Sequence, residues 1–204
     1  QLLQCANQEG KALARDYPWN ILIKEGSFTT SAAESQGLMT TIEADFARFL
    51  NDTMWNRTTD RKYIGPIPDN QWQRLKATVT SGVSDYFRIR GGKLIIHPTP
   101  TASQSVFFEY VSKYWIDSGS DSVGDLDKFA ADTNISLIDE YLVTLGVVWR
   151  FLKLKGLPYD QQFLEYQQLL KTFTAQDGAK AIYRGSYMPD LSYLAANVPD
   201  GNFG

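Results

Sequence analysis

The chain has 204 residues, of which 43% are hydrophobic and 21% charged, with a formal net charge of −3 and a pI near 5.2. That is enough apolar residue to build one core, or one core with a subdomain, and the acidic balance argues against a protein that sequesters nucleic acid. No run approaches the roughly 18 apolar residues of a membrane span and no signal peptide opens the chain, so no membrane partner is expected. Cys5 is the one cysteine and cannot form an intrachain disulfide. Beside Leu2 and Ala6 on a helical pattern, it reads as a buried structural thiol. The sequence begins at Gln1, without methionine and already inside an apolar-periodic helix, so the expectation is that a preceding segment has been removed or lies outside this numbering.

The first predicted element is a helix carrying Leu2 or Leu3, Ala6, Gly10, Leu13 and Tyr17, which Pro18 ends by restricting the residue before it. Residues 19–30 read as extended chain and 29–41 as a polar connection. A short apolar segment, 42–50, follows, with Phe46, Phe49 and Leu50. Residues 55–64 are predicted as strand, and 68–77 as a short helix with Asp69 as its candidate cap.

The clearest β signal lies between Tyr86 and His97. Gly91-Gly92 separates two alternating runs, and a two-residue type I′ turn requires positive φ at both central positions. This fixes a register: Arg90 opposite Lys93, Ile89 opposite Leu94, Arg88 opposite Ile95 and Phe87 opposite Ile96, with Phe87, Ile89, Leu94 and Ile96 on one buried face. Arg88, Arg90 and Lys93 then line the polar face. Pro98 and Pro100 end the second strand, residues 105–115 supply a third, and the three are expected to form a meander.

Residues 119–127 read as an exposed acidic loop. Asp117, Asp121, Asp125 and Asp127 lack the spacing of an EF-hand calcium loop, so no metal is expected. Two amphipathic helices follow. Ile138, Tyr141, Leu142, Leu145, Trp149 and Leu152 form the stripe of the first, with Ser136 and Asp139 as a capping pair and Gly156 with Pro158 as the stop. Phe163, Tyr166, Leu170 and Phe173 form the stripe of the second, and so short a connection favours an antiparallel hairpin. Residues 181–204 carry Tyr183, Tyr187, Tyr193 and Phe203 among Gly and Pro without a period. They read as an arm that packs on its own subunit or orders against a neighbour or another protein.

Nothing in this inventory singles out an enzyme. His97 is the only histidine, placed in a strand before Pro98, so zinc, Ser-His-Asp and Cys-His chemistry would all depend on it. No phosphate-binding glycine loop occurs, because no helix follows Gly91-Gly92. With 23 acidic residues a carboxylate pair is available in principle, but no pair stands out. The expectation is no catalytic residue, no cofactor and no metal. Arg57, Arg61 and Lys62 form a second basic cluster, read as a solvated face, a phosphate contact or a salt-bridged subunit interface. The Asn-x-Ser/Thr triplets at Asn51, Asn56 and Asn134 are assigned no role.

The wording of several segments carries a resemblance. The run Ser136-Leu137-Ile138-Asp139-Glu140, then Gly146, Trp149-Arg150, Leu152-Lys153, Lys155-Gly156-Leu157 and Tyr159, resembles the C-terminal helical hairpin of head-to-tail adaptor (connector) proteins of tailed bacteriophages. Upstream, Asn7, Glu9-Gly10-Lys11, Leu13-Ala14-Arg15, Tyr17 and Trp19 resemble the family's first helix, and Phe28-Thr29-Thr30 its next strand. Asn51-Asp52-Thr53-Met54-Trp55, Gly65-Pro66, Trp72, Phe87 to Gly92, Glu109-Tyr110, Trp115 and Phe129-Ala130-Ala131-Asp132-Thr133 follow in the expected order, covering about residues 1–173.

The resemblance implies a structural virion protein at the head-tail junction, assembled in the host cytoplasm as a homo-oligomeric ring, typically a dodecamer. Such a ring binds the portal protein, extends the DNA channel and offers a docking site to a tail or nozzle protein, while genomic DNA passes without sequence-specific binding. Another virion ring, such as a tail terminator or head-completion protein, is the alternative, followed by a carboxylate-based hydrolase.

The expected fold is α+β: a helical bundle of residues 1–18 and 136–180, an inserted antiparallel β-rich subdomain over 19–135, and an extended C-terminal arm over 181–204. Leu13, Tyr141, Leu145, Trp149, Leu152, Phe163, Tyr166 and Leu170 are the expected core of the bundle. Tyr183, Tyr187, Tyr193 and Phe203 are assigned to the portal-binding arm. Arg90, Gly91, Gly92 and Lys93 are assigned to a tail-contacting hairpin tip.

Overall fold

The computed structural model describes residues 1–77, 84–119 and 123–178. The arm at 181–204, with Tyr183, Tyr187, Tyr193 and Phe203, lies outside them.

Helix α1 spans Leu2–Asp16 and ends where Tyr17, ahead of Pro18, takes extended dihedrals. A 3-10 turn, Asn20–Leu22, leads into β1 (Ile23–Thr29), followed by β2 (Ser35–Leu38), a single helical turn α2 (Met39–Ile42) and β3 (Phe46–Phe49). The segment read as one strand over 55–64 is a hairpin of β4 (Trp55–Asn56) and β5 (Arg61–Ile64). Asn56 Oδ1 accepts the backbone N–H groups of Thr58 and Thr59 and so turns the chain. Helix α3 (Asp69–Ala77) precedes β6 (Asp85–Arg90), β7 (Lys93–His97), β8 (Ser105–Ser112) and the short strands β9 (Ile116–Asp117) and β10 (Ile135–Ser136). Helices α4 (Glu140–Leu154) and α5 (Asp160–Asp177) close the described chain.

Among the described residues eight strands form one sheet in the order β1-β8-β4-β5-β6-β7-β2, and β3 joins β4 along the same edge of β8. Among the described residues only β5 and β6 run parallel, and the 20-residue crossover carrying α3 makes that possible. The β6–β7 register is the one the sequence predicts, with Gly91 and Gly92 at φ of 57° and 72°. The expected meander is corrected: β7 takes β2 as its second neighbour, while β8 pairs with β1 on one side and with β3 and β4 on the other.

The sheet curls into a half-barrel. β8 and β6 are three strands apart, about 14 Å in a flat sheet, yet Phe49 contacts both Phe87 and Phe108, at 5.3 and 4.8 Å between ring centroids. The curl encloses Met39, Met54, Tyr63, Leu94, Ile96 and Val106. At the far end of β8 the alternation breaks, so that Tyr110, Val111 and Ser112 are all buried. Val111 there enters a second core with Leu13, Trp19, Leu22, Trp115, Ile116, Ile138, Leu142, Trp149 and Tyr166.

The helical bundle with an inserted β-rich subdomain is therefore corrected. The curled, mixed sheet is the main body of an α+β fold, and α1, α4 and α5 pack at one end of it. The expected capping pair also splits. Asp139 caps α4, accepting from Leu142 N at 3.0 Å, while Ser136 lies in β10 and donates to Ile138 O. No helix among the described residues is long and apolar enough to cross a membrane.

Candidate interaction surfaces

The hairpin tip is exposed at Arg90, Gly91, Gly92 and Lys93, but it does not stand free. Gly92 O accepts from Met39 N at 2.9 Å, and Lys93 pairs with Leu38 across β2. Arg88, expected on the same solvated face, is 6% exposed because α3 covers it: its guanidinium bonds Asp69 and lies 5.4 Å from the Trp72 ring. The polar face of the hairpin is thus reduced to its tip. The second basic cluster is dispersed: Arg57 pairs with Glu25 and stacks on Phe107 at 3.7 Å, and Lys62 pairs with Asp52 at 3.1 Å.

Helix α4 packs against both α1 and α5. Leu13, Trp149 and Tyr166 are buried in this core, Leu145, Phe163 and Leu170 pack partly buried against it, and Leu152 is half-buried. Tyr141 does not join them; it is 54% exposed. Its hydroxyl instead donates to Glu165 Oε1 on α5 at 3.4 Å. The Trp149 ring packs edge-on to Phe163 at 5.0 Å and also meets Tyr159 and Tyr166.

At the α1–α4 contact the carboxylate of Glu9, 0% exposed, accepts a bond from Arg150 Nε, 141 residues away. Gly146 permits this approach, since a Cβ there would fall 2.4 Å from Glu9 Cδ. Burial, then the neighbouring Glu9 carboxylate, push the Tyr166 phenol well above its ordinary range. A second close approach lies one residue on, where a Cβ on Gly10 would sit 2.0 Å from Trp115 Cη2.

A buried polar knot ties β1 to β8. Asp45 accepts from Lys24 Nζ at 2.8 Å, Tyr110 OH at 2.7 Å and Ser112 OH at 2.7 Å. Burial alone would raise this carboxyl, but the three donors outweigh it and hold Asp45 below the usual carboxylate range. Beside the knot, α1, β3 and the end of β8 border a cleft of about 420 Å³. Ala14, Phe46 and Trp115 give it apolar walls, and Lys11, Arg15, Arg48 and Lys113 give it four cations. Its one carboxylate, Asp127, pairs with Lys11 at 3.2 Å. This cleft escapes sequence reasoning, although Lys11 and Arg15 at helical spacing mark a basic face of α1.

His97 packs its ring edge-on to Trp72 at 5.9 Å. Asp117 is buried and Asp125 accepts from Ser118 N, while Asp121 lies outside the described residues. Among the described residues no three His, Cys, Asp or Glu side chains are grouped to hold a metal ion. Cys5 is buried and unbridged. The described surface carries a braced hairpin tip, an aromatic helix face and a cationic cleft. No family model matches the chain, and no curated protein sequence matches it.

Proposed function

We propose that this chain is a structural subunit of a bacteriophage virion, one copy of a head-to-tail adaptor ring that binds the portal, extends the DNA channel and receives the tail. The observation that carries the reading is the apolar surface left on the helices. Tyr141, Val148, Leu154, Leu157 and Leu164 are 39–59% exposed on a hairpin whose inner side is already packed. These side chains are spread around the hairpin, and a closed ring supplies partner surface that can cover such exposed apolar groups in every copy. The ordered resemblance over about residues 1–173 supplies the particular ring. The portal-docking element of this reading is the aromatic arm at 181–204, and the tail-contacting element is the braced tip from Arg90 to Lys93. A net charge of −3 suits a channel that DNA traverses without adhering.

The test is electron microscopy of the protein alone and mixed with its phage's portal. A symmetric ring capping the portal is the expected result. Failure to bind the portal overturns the adaptor role and shifts the reading to another virion ring. Reversing Arg90 and Lys93 should leave the ring on the portal but impair tail attachment; unimpaired attachment removes the tip's role.

A further inference from the structure

We infer that the cationic cleft between α1 and β3 is the socket of the subunit interface, and that it receives the Tyr141 face of a second copy of this chain. The inference rests on the ring reading and names the surfaces that build the ring.

The cleft is a local excess of positive charge on an acidic protein. With Lys11 held by Asp127, Arg15, Arg48 and Lys113 have no carboxylate within 4 Å among the described residues. Its walls of Ala14, Phe46 and Trp115 ask for an apolar or aromatic group, not for bare phosphate. The matching shape occurs on the same chain. Tyr141 projects from the start of α4, 54% exposed, with Glu140 as its chain neighbour and its hydroxyl donating a hydrogen bond to Glu165. Neither carboxylate has a cation within 4 Å among the described residues. An exposed aromatic ring with one carboxylate bonded to its hydroxyl and a second on the preceding residue complements an apolar cleft rimmed by three cations, and such pairing fixes register between partners.

The two surfaces cannot meet within one molecule. On α1 the residues facing α4 are Glu9 and Leu13, whereas Lys11 and Arg15 lie two positions on, about 200° around the helix. Tyr141 lies nine residues before Arg150, about 180° around α4 from the side chain that bonds Glu9. Socket and knob therefore face away from each other across the α1–α4 contact. Pairing of unlike patches that face apart is a head-to-tail contact, the kind that closes into rings.

The experiment measures assembly of three full-length variants, by sedimentation equilibrium up to about 1 mM protein and by imaging on portals: Arg15→Glu with Arg48→Glu, Glu140→Arg with Glu165→Arg, and all four together. Each pair should weaken self-association or ring occupancy at least tenfold, and the fourfold variant, whose charges are exchanged but still complementary, should regain most of it. Regain separates a lost interface from a lost fold. Assembly unchanged by either pair, no regain in the fourfold variant, or no self-association of the wild type under either condition overturns the socket. Retention of duplex DNA that Arg15→Glu with Arg48→Glu abolishes, with assembly unchanged, would make the cleft a phosphate site and also overturn it. Wild-type rings on portals with all variants unaffected refute this interface alone, whereas absence of portal binding refutes the adaptor reading.

Discussion

Gly10→Ala isolates the packing that joins the helices to the sheet. On an exposed helix the change would stabilise by about 1 kcal/mol, because alanine loses less conformational freedom. Here the new methyl would lie 2.0, 2.2 and 2.3 Å from three atoms of the Trp115 ring, so helix and ring must separate by about 1.4 Å to reach ordinary contact. The ring cannot yield easily. It is fully buried, its Nε1 donates to Asp127 O at 3.0 Å, and Phe129 packs perpendicular to it at 5.1 Å. Overpacking at such a site costs about 3 kcal/mol, leaving a net loss of about 2 kcal/mol after the helical gain. In a chain of this size that lowers Tm by about 4–8 °C. Thermal and urea unfolding followed by circular dichroism measure it, and a cycle with Trp115→Leu should return a coupling above about 1 kcal/mol. A rise in Tm for Gly10→Ala would show that α1 does not rest on Trp115.

Two further outcomes follow from the buried charges. Glu9→Gln should cost about 3 kcal/mol, because it strands a guanidinium whose side chain is 21% exposed. Glu9→Leu with Arg150→Met should cost less than the single change, and urea midpoints of the three proteins decide. For Asp45 the folded pKa lies below the unfolded value near 4, so its contribution is complete above that value and is lost as pH falls through the folded pKa. Asp45→Asn should therefore destabilise by about 2 kcal/mol at pH 7, with the difference from wild type shrinking as pH falls below the unfolded value and through the folded one. A gap independent of pH would show that the ionised carboxylate is not what the three donors hold.

What the sequence determined by itself is local. Pro18 stops α1, and Gly91-Gly92 together with period-two alternation set the β6–β7 register, because each depends on dihedral preferences or repeats within a few residues; the capping pair was placed only in part, since Asp139 alone caps α4. The stripes of α4 and α5 were legible for the same reason, except at Tyr141, where periodicity identifies a face but not whether a neighbour covers it. Arg88 shows the converse, since α3 buries a residue that alternation alone assigns to solvent.

Tertiary structure decided the rest. It chose β1, β3 and β4 as the partners of β8, curled the sheet until Phe49 met Phe87, and brought Glu9 to Arg150. It also assembled the cationic cleft from α1, β3 and β8, three segments with no common motif. Strand partners and site walls far apart in sequence leave no short-range signal, since they are selected by the total burial and hydrogen bonding of the folded chain. For that reason the sheet's dominance over the helices emerged only once the strands had paired.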